Sequence, residues 1–241
     1  FVEGAKEGAG PDSIMKEETT SGLLVNFNIP GMFAKEFKVD DVIYHRLIVP
    51  GLGHRDRLGE PELPIVGRLI EVPYGVSFSL EIYKSESFSL PHYNIYPAQE
   101  HNIRMATTTA ELKIDKPLYQ RDEFYPKNLA EFTADDVGVI RGHRVMFLQV
   151  NPIQFNPVTD ELRAYSNIEV RIVYNRPAQI DRVDERRESA AFEEMLENSL
   201  INYKNPNRFE REPVYEEPNG CDYLIITDGR FFDAKDPTNP L

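Results

Sequence analysis

Histidine and cysteine are the side chains that most often ligate metals or attack carbonyl carbon, and this chain has five of the first and one of the second. His45, His54, His92, His101 and His143 form no His-Glu-x-x-His and no His/Cys pair, so each reads as a surface or strand residue and no metal site is expected. Cys221 opens a short apolar run, Gly220-Cys221-Asp222-Tyr223-Leu224-Ile225-Ile226-Thr227-Asp228-Gly229, and suits a small core residue there. Active sites of open α/β sheets gather at the carboxyl ends of strands, so a cysteine at a strand's start is poorly placed as a nucleophile. Gly51-Leu52-Gly53 follows a strand, but Pro61 and Pro64 stand where a phosphate-cradling helix would have to continue. No Gly-x-Ser-x-Gly elbow occurs. Asp228, Asp233 and Asp236 match no EF-hand spacing and read as solvated turn residues. No catalytic residue and no cofactor is therefore expected within the chain. What remains is the chemistry of a substrate: Arg208 and Arg211 sit in a polar, Pro-bounded stretch, residues 207–219, of the extended kind that proteases cut.

The elements around these residues are mostly strands. Residues 23–29, 42–49, 64–72, 78–83, 145–150 and 162–174 are strand-like runs separated by turns rich in Pro, Gly and Asn. In the last run Ile168, Val170, Ile172 and Tyr174 alternate with Glu169, Arg171 and Val173, which predicts an antiparallel strand with one wet face. Many short strands without intervening helices predict an antiparallel β-sandwich over residues 21–174, behind a flexible segment 1–20. Residues 175–206 read as a linker and a helix capped by Ser189, its apolar face built from Phe192, Met195, Leu196, Ile201 and Tyr203 and its end near Asn205-Pro206.

The run at 222–227 is apolar on both faces, the pattern of a central strand in a parallel sheet, and residues 220–241 read as the start of an α/β domain continuing beyond Leu241. That strand is expected to be buried against another polypeptide. The net charge of −13 argues against a nucleic-acid surface, and no nucleic-acid partner is expected. It suits solubility, or a basic partner. No apolar stretch reaches the roughly 20 residues of a membrane span, and a secretory signal would already have been removed before Phe1. A non-catalytic β domain joined through an arginine-containing connector to an α/β domain has the layout of a pro-domain.

The order of several segments carries a resemblance. Gly59-Glu60-Pro61-Glu62-Leu63-Pro64-Ile65-Val66, the turn and strand Gln154-Phe155-Asn156-Pro157-Val158-Thr159-Asp160-Glu161-Leu162-Arg163-Ala164-Tyr165, and the helix from Phe192-Glu193-Glu194 to Asn202-Tyr203 resemble gingipain pro-domains. Pro213-Val214-Tyr215-Glu216-Glu217-Pro218-Asn219-Gly220 and the strand after it resemble the start of the mature gingipain peptidase. The resemblance implies a secreted or cell-surface cysteine endopeptidase precursor with a caspase-like α/β catalytic domain, its catalytic Cys and His downstream. It implies a β-sandwich that keeps the zymogen latent and assists folding, with its own catalytic domain as partner. Calcium would belong to that downstream domain. In arginine-specific members a pro-domain Arg occupies the specificity pocket. The family's Ile-x-Pro with an Arg seven residues after the Pro is matched by Ile95-Tyr96-Pro97 and Arg104, flanked by Ile103 and Met105. The family's Arg immediately before the mature domain is replaced in register by Glu210, leaving Arg208 or Arg211 for processing. The competing reading is a non-enzymatic adhesion or ligand-binding sandwich, and a His-Gly with a later Cys at strand ends beyond Leu241 would separate the two.

Overall fold

Residue alternation builds the first sheet. In β2 (Gly22–Asn28) Leu23, Val25 and Phe27 are buried, and they pair with Ile172, Val170 and Ile168 of β12 (Glu161–Tyr174). The computed structural model describes residues 10–100, 112–132, 137–140, 143–176, 190–203, 232–233 and 236–240. β1 (Asp12–Thr19) joins the outer edge of β2. Along one edge of β12, β11 (Ile153–Asn156) pairs with Glu161–Ala164 and β2 with Asn167–Val173; β7 (Phe78–Pro91) runs along the whole other edge. All these pairings are antiparallel.

The second sheet centres on β10 (His143–Val150), which takes β6 (Pro64–Glu71) on one edge and both β8 (Ala130–Glu131) and β9 (Val137–Ile140) on the other. β5 (Gly53–His54) continues the sheet beyond β6. A third, two-stranded piece is the hairpin of β3 (Phe33–Val39) and β4 (Val42–Ile48). Val25, Phe27, Ile168 and Ile172 of the first sheet and Val66, Ile70, Met146 and Leu148 of the second are buried in one cluster, so the sheets face each other as a sandwich. Burying each such side chain contributes about 1.5–3 kcal/mol. Both faces of β10 are used. Met146, Leu148 and Val150 enter this core, while Val145 points to the opposite face and packs with Leu196 and Leu200 at the end of the helix over 190–199.

Several sequence expectations need correction. Residues 12–19, placed in a flexible segment, form β1. Its Ser, Lys and Glu content hides the pattern because it is an edge strand held by the β2 ladder, with Met15 packed partly on the core and Lys16 bonded to the buried Glu169. That ion pair also covers Glu169 on the face of β12 expected to be wet, where Arg171 and Val173 stay half-buried. β3 was missed for the same reason, since its residues are largely exposed. The strand expected over 78–83 runs on to Pro91 because β12 templates its full length. The helix spans Ala190–Ser199 and not to 205–206. Leu200 instead bridges Leu69 in parallel, and Ile201 N–H donates to the Leu69 carbonyl at 3.1 Å, so the β6 edge captures the chain. Met195 lies outward and Leu200 takes its expected inward place.

The chain divides into two units, Phe1–Lys204 and Asn205–Leu241. The described part of the second is an antiparallel hairpin of β13 (Phe232–Asp233) and β14 (Asp236–Pro240). The strand expected at 222–227, with Cys221, lies outside the described residues.

Candidate functional site

None of Ile103, Arg104, Met105, Arg208 and Arg211 is among the described residues, but both stretches of chain that lead into the 101–111 segment are. Residues 94–98 approach it as an extended segment wedged between β4 and the 59–62 turn. On one side His45 N–H donates to Asn94 O at 2.6 Å and Tyr96 N–H to His45 O at 3.1 Å. On the other, Glu62 N–H donates to Tyr96 O at 2.9 Å, and Ala98 N–H to Glu60 O and Gly59 N–H to Ala98 O, both at 2.8 Å. Ile95 is fully buried beneath. With backbone groups satisfied on both edges, this leg is fixed as firmly as a central strand.

The departing leg returns to the same glycine. Asp115 N–H donates to Gly59 O at 2.9 Å, so Gly59 holds Ala98 with its N–H and Asp115 with its carbonyl. Gly59 has φ +82°, and a Cβ there would stand 2.9 Å from Asp115 N, so both its backbone conformation and its neighbour require glycine. Asp115 then caps the short helix α1 (Lys116–Tyr119), accepting from Leu118 N–H at 3.1 Å. Tyr119 OH donates to Ile95 O at 2.8 Å, which ties α1 back to the incoming leg. Burial pushes the Tyr119 phenol far above its ordinary range, so the group stays a donor.

Gln99 closes the neck of the loop. Its Nε2 donates to Lys113 O at 2.8 Å and its Oε1 accepts from Lys113 N–H at 3.0 Å, a two-point pairing that imitates a strand rung. Lys113 Nζ adds an exposed ion pair to Glu100 at 2.9 Å, worth little by itself. The two ends of the 101–111 segment are thus held together at a fixed neck.

A polar network braces this neck from below. Tyr125 OH donates to Glu60 Oε2, and Tyr125 exchanges backbone bonds with Phe155 at 2.8 and 2.7 Å. The buried Arg55 donates from Nη1 to Glu131 at 2.7 Å and Asn151 at 2.9 Å, and its guanidinium lies 5.5 Å from the Tyr125 ring centre. Burial and the Glu60 bond push the Tyr125 phenol up to about 12, against the pull of Arg55. Sequence reasoning missed Gln99, Asp115, Tyr119 and the Arg55 network. Of the other residues that build the neck and its bracing, Gly59, Glu60, Glu62, Ile95, Tyr96 and Phe155 lay in motifs that stood out.

A second constellation stands ahead of the connector. Asn202 Oδ1 accepts from Glu71 N–H at 2.8 Å and its Nδ2 donates to Glu71 O at 2.9 Å, so one side chain caps the β6 edge as a neighbouring strand would. His143 Nδ1 lies 2.7 Å from Glu71 Oε1, and its ring meets Tyr203 edge-on at 5.3 Å.

Gingipain R1 of Porphyromonas gingivalis is 27% identical over 178 residues, 74% of this chain and 18% of that protein. Lys-gingipain of the same species is 24% identical over 231 residues, 93% of this chain and 12% of that protein. The chain thus spans a small part of these relatives. Among solved structures, the complex of Porphyromonas gingivalis RgpB pro- and mature domains matches with a TM-score of 0.66 at 21% identity, covering 79% of this chain and 97% of that one. A structure on the zymogenic latency of gingipain K matches at 0.55 and 19%, covering 70% and 96%. These two share the fold described above. The model of the Propeptide_C25 family matches residues 5–208, and the chain belongs to that family.

Proposed function

We propose that this chain keeps a gingipain-like cysteine endopeptidase latent by placing Arg104 in the specificity pocket of the precursor's own catalytic domain. The observation that carries this is the neck made by Gly59 and Gln99, which holds both ends of the 101–111 segment together on the sandwich. Preorganisation of that kind lowers the entropy lost on docking. Arg104 is the only Arg or Lys between Glu100 and Lys113, and a planar guanidinium suits a bidentate pair with a pocket carboxylate. The relatives named above include a pro-domain in complex with a mature domain, which supports the same partner here. The connector would be cut at Arg208 or Arg211, the precursor would be secreted or displayed at the cell surface, and the sandwich would assist folding of the peptidase.

The test is inhibition of the separated catalytic domain by this chain carrying Arg104→Ala. Truncating one partner of a buried charge pair costs about 2–5 kcal/mol, so inhibition should weaken at least about 25-fold. Arg121→Ala, an exposed arginine just after α1, serves as control and should leave inhibition unchanged. Equal inhibition by the Arg104→Ala chain and the unmodified one would defeat the proposal.

A further inference from the structure

The β3–β4 hairpin carries an apolar face that nothing among the described residues explains by packing alone. Directly opposed residues of an antiparallel pair project to the same side. The register Phe33↔Ile48, Lys35↔Arg46, Phe37↔Tyr44 and Val39↔Val42 therefore defines one face, and Ala34↔Leu47, Glu36↔His45 and Lys38↔Ile43 the other. The second face turns inward at its root, where Leu47 is fully buried in the core. On the first face Tyr96 fills the middle, its ring 5.0 Å from Phe37 and 5.5 Å from Tyr44, both edge-on. Arg46 lies over Phe37 and Tyr96 at 5.4 and 5.3 Å and bonds Glu62 at 3.0 Å, so its charge is already matched. Phe33 and Ile48 at the root are 45% and 40% exposed, and Val42 at the tip 43%. Three open apolar groups on this face, against Ile43 alone on the other, mark an interaction site.

We infer that this face is a second docking surface for the precursor's catalytic domain, on apolar ground beside its cleft. The inference rests on the function proposed above and adds where the rest of the contact lies. Tyr96, in the middle of the face, is followed by Pro97, from which Arg104 is seven residues away. Fully extended, that stretch reaches at most about 25 Å, while a seven-residue strand is itself about 23 Å long. A domain holding Arg104 in its pocket is therefore within reach of the hairpin. A specific interface also needs about 800 Å² per partner, more than one loop tip supplies, and Phe33, Val42 and Ile48 are apolar surface next to the loop's neck. The catalytic domain meets both conditions, whereas a second copy of this chain is not brought to the face by any tether.

The test uses the 241-residue chain with Phe33→Glu and, separately, Val42→Glu, and with Ile43→Glu as control. Ile43 is 55% exposed on the opposite face of the same hairpin, so it reports any general damage. Binding is measured by calorimetry to the purified catalytic domain, free and with its pocket filled by a covalent arginyl inhibitor. Phe33→Glu and Val42→Glu should each weaken binding about tenfold or more to the free domain, and should remove the residual binding to the pocket-filled domain. Ile43→Glu should change either by less than twofold. The inference is overturned by unchanged binding in both variants, by an equal loss in Ile43→Glu, or by self-association of the unmodified chain that Val42→Glu abolishes. Failure of the Arg104 reading shows separately, as unchanged inhibition by Arg104→Ala.

Discussion

At the scale of single residues, the neck of the loop rests on one carboxamide and one glycine. Gln99 makes the only side-chain pairing described between the two legs that involves both backbone groups of one residue, Lys113. Replacing it by Leu keeps the volume and deletes both bonds. Exposed bonds of this kind contribute at most about 0.5–1.5 kcal/mol each, so the fold should survive with a small loss. Inhibition should fall further than stability does, because a loop with a loose neck loses its preorganisation on every docking event. The check is a pair of measurements on Gln99→Leu, the inhibition constant and the urea midpoint. A tenfold weaker inhibition with a nearly unchanged midpoint is expected, and a change in stability with unchanged inhibition would remove Gln99 from the functional site. The sequence offered little hint of this role. Gln99 lies in no motif, and its function depends on Lys113 returning to it across the loop, a contact no local pattern encodes. Gly59 was nearer to being legible, since Gly-Glu-Pro marks a turn, but which leg the turn would hold was not.

At the scale of elements, β2, β6, β10 and β12 of the core were readable, but the edge strands β1 and β3 were not, and neither was the buried β11, which lies at the head of a segment that reads as a turn. β2, β6, β10 and β12 announce themselves because their buried residues repeat with strand periodicity. β1 and β3 take their place from a neighbouring ladder, and their own composition is that of an exposed edge. The helix was legible in existence and not in extent, because its end is decided by tertiary capture: Leu200, Ile201 and Asn202 complete the free edge of β6. That capture makes a prediction. Asn202→Ala strips both backbone groups of Glu71 of their partner, and a buried group left unpaired costs about 1–3 kcal/mol. Stability should drop by about that much, and amide exchange at Glu71 and Ile201 should speed up together. The exposed Asn198→Ala is the control and should change neither. Unaltered protection at Glu71 in Asn202→Ala would mean that water or another group caps the edge.

At the scale of the whole molecule, both apolar clusters of the first unit draw every member from between Met15 and Tyr203. The described core is thus assembled from residues ahead of the connector, and a cut at Arg208 or Arg211 should release a folded inhibitor. Under the proposed function, the connector contributes to latency by setting a concentration. A short flexible link holds two bodies at an effective concentration in the millimolar range, and cutting it replaces that value by the concentration of free chain. Cutting alone should therefore leave a concentrated sample latent, and activity should appear on dilution below the dissociation constant. Adding excess chain should restore latency. A precursor with both Arg208→Ala and Arg211→Ala should stay latent at every dilution, since its effective concentration does not change. The measurement is peptidase activity against dilution for the two proteins after identical incubation. Full activity of the cut protein at concentrations far above the dissociation constant would show that the connector does more than tether. Activation of the double variant on the same timescale would place the processing site elsewhere in the chain.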